Sequence, residues 1–185
     1  MSEAAEPEEI AATRVWLERA VIGLNLCPFA KSVHVKKQIR YALVEVDTYQ
    51  ELLEELEREL RLLAATDPGE IETTLLIHPR AMTEFLDYGW FLPLAERILE
   101  QLDLVGEIQI AHFHPKFQFG DCEPEDIENY TNRSPWPTLH LIRESSIDRA
   151  VAAFPDAAEI FERNIETLRR MGHEGWRQLW REEKP

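Results

Sequence analysis

The sequence predicts a layered α/β (or α+β) domain with about four strands in a mostly parallel sheet, flanking helices, and a last strand that runs antiparallel. Three observations predict it. Strand-like and helix-like stretches alternate along the chain, and successive β-helix-β units lay strands parallel. The final strand follows a long segment without an element, so it is antiparallel if it pairs with its predecessor. The chain has 185 residues, 44% of them hydrophobic, which is enough for one core, and no linker or repeat divides it.

Residues 1–8 are acidic and read as a disordered lead-in, which leaves 9–185 as a single globular domain. From Glu9, Ile10, Val15, Trp16, Ala20, Ile22 and Leu26 recur at roughly helical spacing. Pro28 disfavours helical geometry at Cys27, so that helix is expected to end near 25–27. Residues 30–38 read as a basic loop, and 39–46, rich in β-branched and aromatic residues, as the first strand. Asp47 or Thr48 is an N-cap, and Glu51 completes a capping box from Thr48 ahead of the amphipathic helix 49–65. The Asp-Pro-Gly core of 66–70 marks a loop. Residues 73–77 form a nearly continuous apolar strand, the pattern of a buried one, which ends at His78-Pro79-Arg80. A helical stretch from about 82 to 102 is interrupted near Gly89 or Pro93. Strand 105–111 leads into HFHPKFQF (112–119), and 115–137 is the longest stretch without a clear element. Residues 138–142 are the last strand. Helices are expected at 145–153 and 155–171, followed by a tail with Trp176, Leu179 and Trp180 at helical spacing.

Charge and cysteine usage exclude several function classes. The net charge is −15, which repels a nucleic-acid duplex or an anionic membrane, so neither is expected as a partner. Lys31, Lys36, Lys37 and Arg40 form the one dense basic patch, read as a solvated loop. Two cysteines make no disulfide framework and no zinc-ribbon spacing. The N-terminus lacks the apolar region of a signal peptide, and no run approaches a membrane span. A bacterial-type cytoplasm with reduced thiols is the expected location.

Polar residues gather around a small internal echo. The second strand ends Ile77-His78-Pro79-Arg80 and the third ends Phe113-His114-Pro115-Lys116. In parallel sheets, ligands bind beyond the carboxyl ends of the strands, where both histidines and Asp47 are expected. Alternation puts His112 on the same side of its strand as His114. An antiparallel last strand brings His140 and Asn132-Arg133-Ser134-Pro135 to that edge as well.

Three chemistries fit such a cluster. His112 and His114 can ligate a divalent transition metal, with a third ligand from His78, His140, Asp47 or a cysteine, and a metal-bound water then makes hydrolysis the first reaction to test. Alternatively, His114 carries a proton while Arg133 orients an anionic small molecule. In the third, Cys27 is a nucleophile beside a histidine. Each has a structural rival. The histidines can cap loop carbonyls, and Arg133 can anchor its loop. Cys27, after a helix C-terminus, can be a buried, inert thiol. Asp121, Asp126 and Glu128 read as a solvated acidic face, and Phe113, Phe117, Phe119 and Trp136 as core packing or the wall of an apolar pocket. Cys27-Pro28 with Phe29 also has the form of a short heme-regulatory motif, so a non-catalytic ligand- or heme-binding module is the alternative to an enzyme. A third reading is a protein-interaction adaptor that uses Trp176 and Trp180. The sequence leaves the oligomeric state open.

The stretches LNLCPFAK (24–31), HFHPKFQF (112–119) and NRSPWPTLHLIRE (132–144) together resemble a bacterial family designated domain of unknown function 1415. The resemblance runs from about Val15 to Arg170. It implies a small, stand-alone, soluble bacterial protein, and it assigns no activity, cofactor or catalytic residue.

Overall fold

A computed structural model describes residues 5–153 and 159–181. The first helix, α1 (Glu8–Trp16), continues as a π-helical turn over Leu17–Ile22 rather than as one α-helix to residue 26. Asn25 then takes a positive φ of 55° and turns the chain before Pro28. The expected basic loop instead contains a short helix, α2 (Ala30–Val35), which stops where Lys37 adopts a φ of 59°. Beyond it come β1 (Ile39–Leu43), α3 (Tyr49–Ala65) and β2 (Thr73–Ile77). The capping box is present, with Thr48 accepting from the Glu51 amide and the Glu51 carboxylate returning to the Thr48 amide.

The stretch expected to be helical from residue 82 starts later. Met82 has a φ of 55°, incompatible with a helix, so the chain first forms a turn and a 3₁₀ segment over Phe85–Asp87. Helix α4 (Tyr88–Gln101) follows, with Pro93 inside it. Next come β3 (Ile108–Phe113), a 3₁₀ helix over Ile127–Asn132 within the long connection, β4 (Thr138–Arg143), α5 (Glu144–Ala153) and α6 (Ile160–Gln178). The expected helix start at 155–158 lies outside the described residues, as do residues 1–4 of the acidic lead-in. Gly172 (φ 64°) breaks the helical path in α6 and separates the turn that bears Trp176.

The sheet order is β1-β2-β4-β3. Only β1 and β2 pair in parallel, and β4 pairs antiparallel with both β2 and β3. The expectation of a mostly parallel sheet is therefore corrected to a mostly antiparallel one. The helical crossovers do give β1, β2 and β3 a common direction. The long connection then brings β4 back between β2 and β3 instead of beside β3 alone. Every β4 pair is consequently antiparallel, and the two same-sense neighbours it separates lose their ladder.

Helices cover both faces. One face carries Ala42, Leu76, Leu139, Leu141 and Ile108 against Leu52, Leu56 and Leu60 of α3 and Phe91 and Ala95 of α4. The other carries Ile39, Tyr41 and Phe113 against Trp16, Leu17, Ala20 and Val21, with Leu168 and Trp176 of α6. This two-sided burial explains why all five residues of β2 are inaccessible. Arg40 and Arg143 tie α3 to the sheet. Arg40 forms a fork on buried Glu59 at 2.7 and 2.9 Å, and Arg143 donates to the Leu63, Thr66 and Ile71 carbonyls beyond the helix C-terminus. No helix among the described residues is long and apolar enough to cross a membrane.

Candidate functional site

The carboxyl ends of β1, β2 and β3 do share an edge, and β4 begins there. His78, His112 and His114 meet on the α4 side of that edge around the Tyr88 ring, with ring-centre distances of 6.1, 5.3 and 5.4 Å. Phe85 and Phe117 close over His112 and His114.

The hydrogen bonds at this cluster are fully assigned by donor and acceptor logic. The His114 Nδ1 accepts from the Lys116 amide at 2.9 Å, so its Nε2 carries the proton and donates to the Met82 carbonyl at 3.0 Å. His78 Nδ1–H donates to the Ala81 carbonyl at 3.0 Å, and its Nε2 accepts from the Tyr88 hydroxyl at 3.1 Å. The Phe113 carbonyl lies beside the same hydroxyl at 3.4 Å. Two imidazoles thus clamp consecutive carbonyls of a turn that includes the positive-φ residue Met82. Such a turn is unfavourable for a side chain of this size and needs outside support. Burial pushes His78 down to about 4 and lowers His112 and His114 as well. All three are neutral near pH 7.

The basic residues of the echo point outward. Arg80 pairs with Asp47 and Lys116 with Glu84, both on the exposed rim. The repeated hydrophobic-His-Pro-basic pattern is therefore a repeated construction: imidazole inward on a carbonyl, proline ending the ladder, cation outward on a carboxylate. No nitrogen of His78 or His114 remains free to ligate a metal. His112 makes no hydrogen bond among the described residues and packs against the rings of Phe85, Tyr88 and Phe117. Among the described residues, no group of three or more His, Cys, Asp or Glu side chains is arranged to hold a metal ion.

His140 does not join this cluster. It lies opposite Leu75 of β2 and Ala111 of β3, so it shares their face, while His112 lies opposite Leu139 and projects to the other side. The expected convergence of all four histidines on one edge is corrected here. Direction and edge were right, but β4 parity places His140 beneath α1 and α2.

On that second face the structure holds a cavity of about 330 Å³. Trp16, Leu17, Val21, Phe29 and Ile39 form one side, β-sheet residues Leu75, Ala111 and Phe113 the floor, and Ile147 and Ala150 of α5 the other side. Its few polar residues are Cys27, Glu72, Thr73, His140 and Ser146. Glu72 is engaged by Ser146 and by Arg149, the latter at 2.6 Å. The Thr73 hydroxyl donates to the Leu141 carbonyl at 2.7 Å, so at its other contact, also 2.7 Å, it accepts from His140 Nε2–H. This sets the tautomer of His140 and leaves Nδ1 as a bare acceptor without a partner among the described residues. Burial lowers His140 to about 4, so it stays neutral.

Cys27 lines the same cavity, where its sulfur accepts from the Phe29 and Ala30 amides. Burial outweighs those two bonds and raises its pKa, so the thiol form dominates. Cys27 and Cys122 are both free thiols. Arg133 lies elsewhere, over the Tyr130 ring, with Nε on the Phe117 carbonyl at 3.1 Å and Nη2 on the Pro124 carbonyl at 2.5 Å. It anchors the long connection and does not face the histidine cluster.

Sequence reasoning missed Tyr88 as the hub and Thr73 as the orienter of His140. No local pattern marks either residue, because their partners come from other strands. No curated protein and no solved structure matches the chain. A family model described as a protein of unknown function (DUF1415) matches residues 8–178. With nearly the whole sequence aligned to that model, the chain belongs to the DUF1415 family.

Proposed function

We propose that this protein binds a small, neutral, largely apolar molecule, with one N–H or O–H group, in the cavity above His140. The observation that carries the reading is an apolar cavity of about 330 Å³ whose floor presents one oriented, unpaired acceptor, His140 Nδ1. Ligand sites commonly combine an apolar wall with a few convergent polar groups, and this volume is at the small end of their range. Charge selects further. Among the described residues no lysine or arginine lines the cavity, and the one carboxylate that does, Glu72, is already paired. Heme carries two carboxylates, which would find no cation here, so the Cys27 heme alternative gains no support from the cavity.

Binding fits better than catalysis. A base titrating near 4 cannot accept the proton of a thiol whose pKa is raised, so Cys27 with His140 is a poor nucleophilic pair. The hydrolase reading needs free imidazole nitrogens, and His78 and His114 have none. The free thiols of Cys27 and Cys122 suit a reducing cytoplasm.

The test compares indole with benzofuran, which has the same shape but no N–H. Heteronuclear NMR titration is expected to shift the His140, Thr73 and Ala111 amides. Indole should bind roughly three- to tenfold tighter, the worth of one hydrogen bond. His140→Phe should abolish the difference. Equal affinities in the wild type, or shifts confined to other parts of the chain, would remove the reading. A heme titration run in parallel should give no Soret band that depends on Cys27.

A further inference from the structure

A second cavity, of about 570 Å³, opens on the other side of Trp16. It lies between α1, the 3₁₀ helix Ile127–Asn132 and the last turns of α6. Its walls are aromatic: Trp16, Tyr130, Trp176 and Trp180. The three from the 3₁₀ helix and α6 form a chain of edge contacts, with Tyr130 to Trp176 at 5.2 Å and Trp176 to Trp180 at 5.4 Å. The helical path breaks at Gly172, and beyond it the π-helical turn Leu17–Ile22 reaches the chain that follows α6, where Arg19 holds the Leu179 carbonyl at 2.9 Å.

The charge of the cavity is unusual for this chain. The protein carries a net −15, yet among the described residues no carboxylate lines this cleft and Arg133 is the only charged residue that does. Arg133 has no ion-pair partner among the described residues. Tyr130 and two carbonyls hold its guanidinium in place, and its Nη1 makes no hydrogen bond among the described residues. With Nε and one Nη2 proton committed to those carbonyls, Nη1 and the second Nη2 proton form an end-on pair that a carboxylate matches in geometry. Its position beside flat aromatic walls specifies what the carboxylate is attached to.

We propose that this cleft is a separate binding site for a planar aromatic ring bearing a carboxylate, with the ring against Trp176 and Trp180 and the carboxylate on Arg133. The ring gains edge and face contacts with the indoles, and the charge gains a fixed cation in a partly desolvated site. This site differs in ligand charge from the cavity over His140, and Trp16 separates the two.

Calorimetric titration of the full chain with 1-naphthoate and with 1-naphthamide tests the proposal. The acid is expected to bind at least about tenfold tighter than the amide, in line with a hydrogen bond to a charged group, and to weaken as salt rises. Arg133→Gln should erase the preference. That variant also loses two loop bonds, so Trp180→Ala, at a partly exposed position, serves as the second probe and should weaken both ligands several-fold. His140→Phe should leave 1-naphthoate binding unchanged, which keeps this site distinct from the first. Equal affinity for acid and amide in the wild type, no binding at millimolar ligand, or loss of binding with His140→Phe would each overturn the proposal.

Discussion

Replacing Tyr88 with phenylalanine removes a single oxygen at the centre of the histidine cluster and leaves the ring packing in place. Tyr88 is only 2% exposed and His78 is fully buried. The hydroxyl donates to His78 Nε2 at 3.1 Å, with the Phe113 carbonyl beside it at 3.4 Å. His78 cannot compensate by changing tautomer, because its Nδ1–H is committed to the Ala81 carbonyl. Water cannot reach the Nε2 nitrogen. Tyr88→Phe therefore strands one buried acceptor, His78 Nε2, and the expected loss is about 1–3 kcal/mol. For a chain of this length that corresponds to a fall in Tm of roughly 2–12 °C. Urea unfolding followed by circular dichroism reads it directly, with the midpoint reduced and the slope unchanged. A folded variant within about 0.5 kcal/mol of wild type would refute the reasoning. The histidines would then not be structural clamps, and their buried hydrogen bonds would need another account.

Two further outcomes follow from the same geometry. His78 titrates near 4 in the folded chain and near 6.5 when exposed. As pH falls through 6.5 the unfolded chain takes up a proton that the folded chain refuses. The stabilising contribution is thus complete above pH 6.5 and is lost progressively toward pH 4, about 3 kcal/mol in all. His140 acts in the same direction, and the carboxylates of Glu84 and Glu128, lowered by bonded partners and the surrounding amides, act at lower pH. Urea midpoints that are flat between pH 7 and 5 would contradict this. Separately, a Cβ at Gly23 would overlap the Arg19 carbonyl oxygen, a backbone atom, whereas a Cβ at Gly175 meets the Met171 side chain, which can move. Gly23→Ala should cost about 1–3 kcal/mol, and Gly175→Ala should be close to neutral, with helix propensity offsetting the crowding. Thermal denaturation of the pair checks the contrast.

The two proposed sites differ in what each asks of a ligand. The cavity over His140 has an acceptor and no available charge. The cleft at Arg133 has a cation and aromatic faces. Both border Trp16, just before the π-helical turn Leu17–Ile22. Such turns are rare in proteins and frequent beside functional sites, and Leu17 and Val21 of this one line the cavity over His140.

Local signals in the sequence determined the local structure. The capping box at Thr48 and Glu51, the buried apolar run 73–77 and the proline-terminated strand ends were all legible, because each depends on neighbours a few residues apart. The echo of His78 and His114 was legible too, and both histidines do occupy the same edge. The basic stretch near residue 33 and the delayed start of α4 were not, since single positive-φ residues at Lys37 and Met82 set those boundaries. The site itself was decided by tertiary structure. Nothing within β4 states that it inserts between β2 and β3, nor the register that puts His140 opposite Leu75 and Ala111. A strand's side-chain period is two, so one register choice separates a histidine that joins the cluster around Tyr88 from one that lines an apolar cavity on the opposite face.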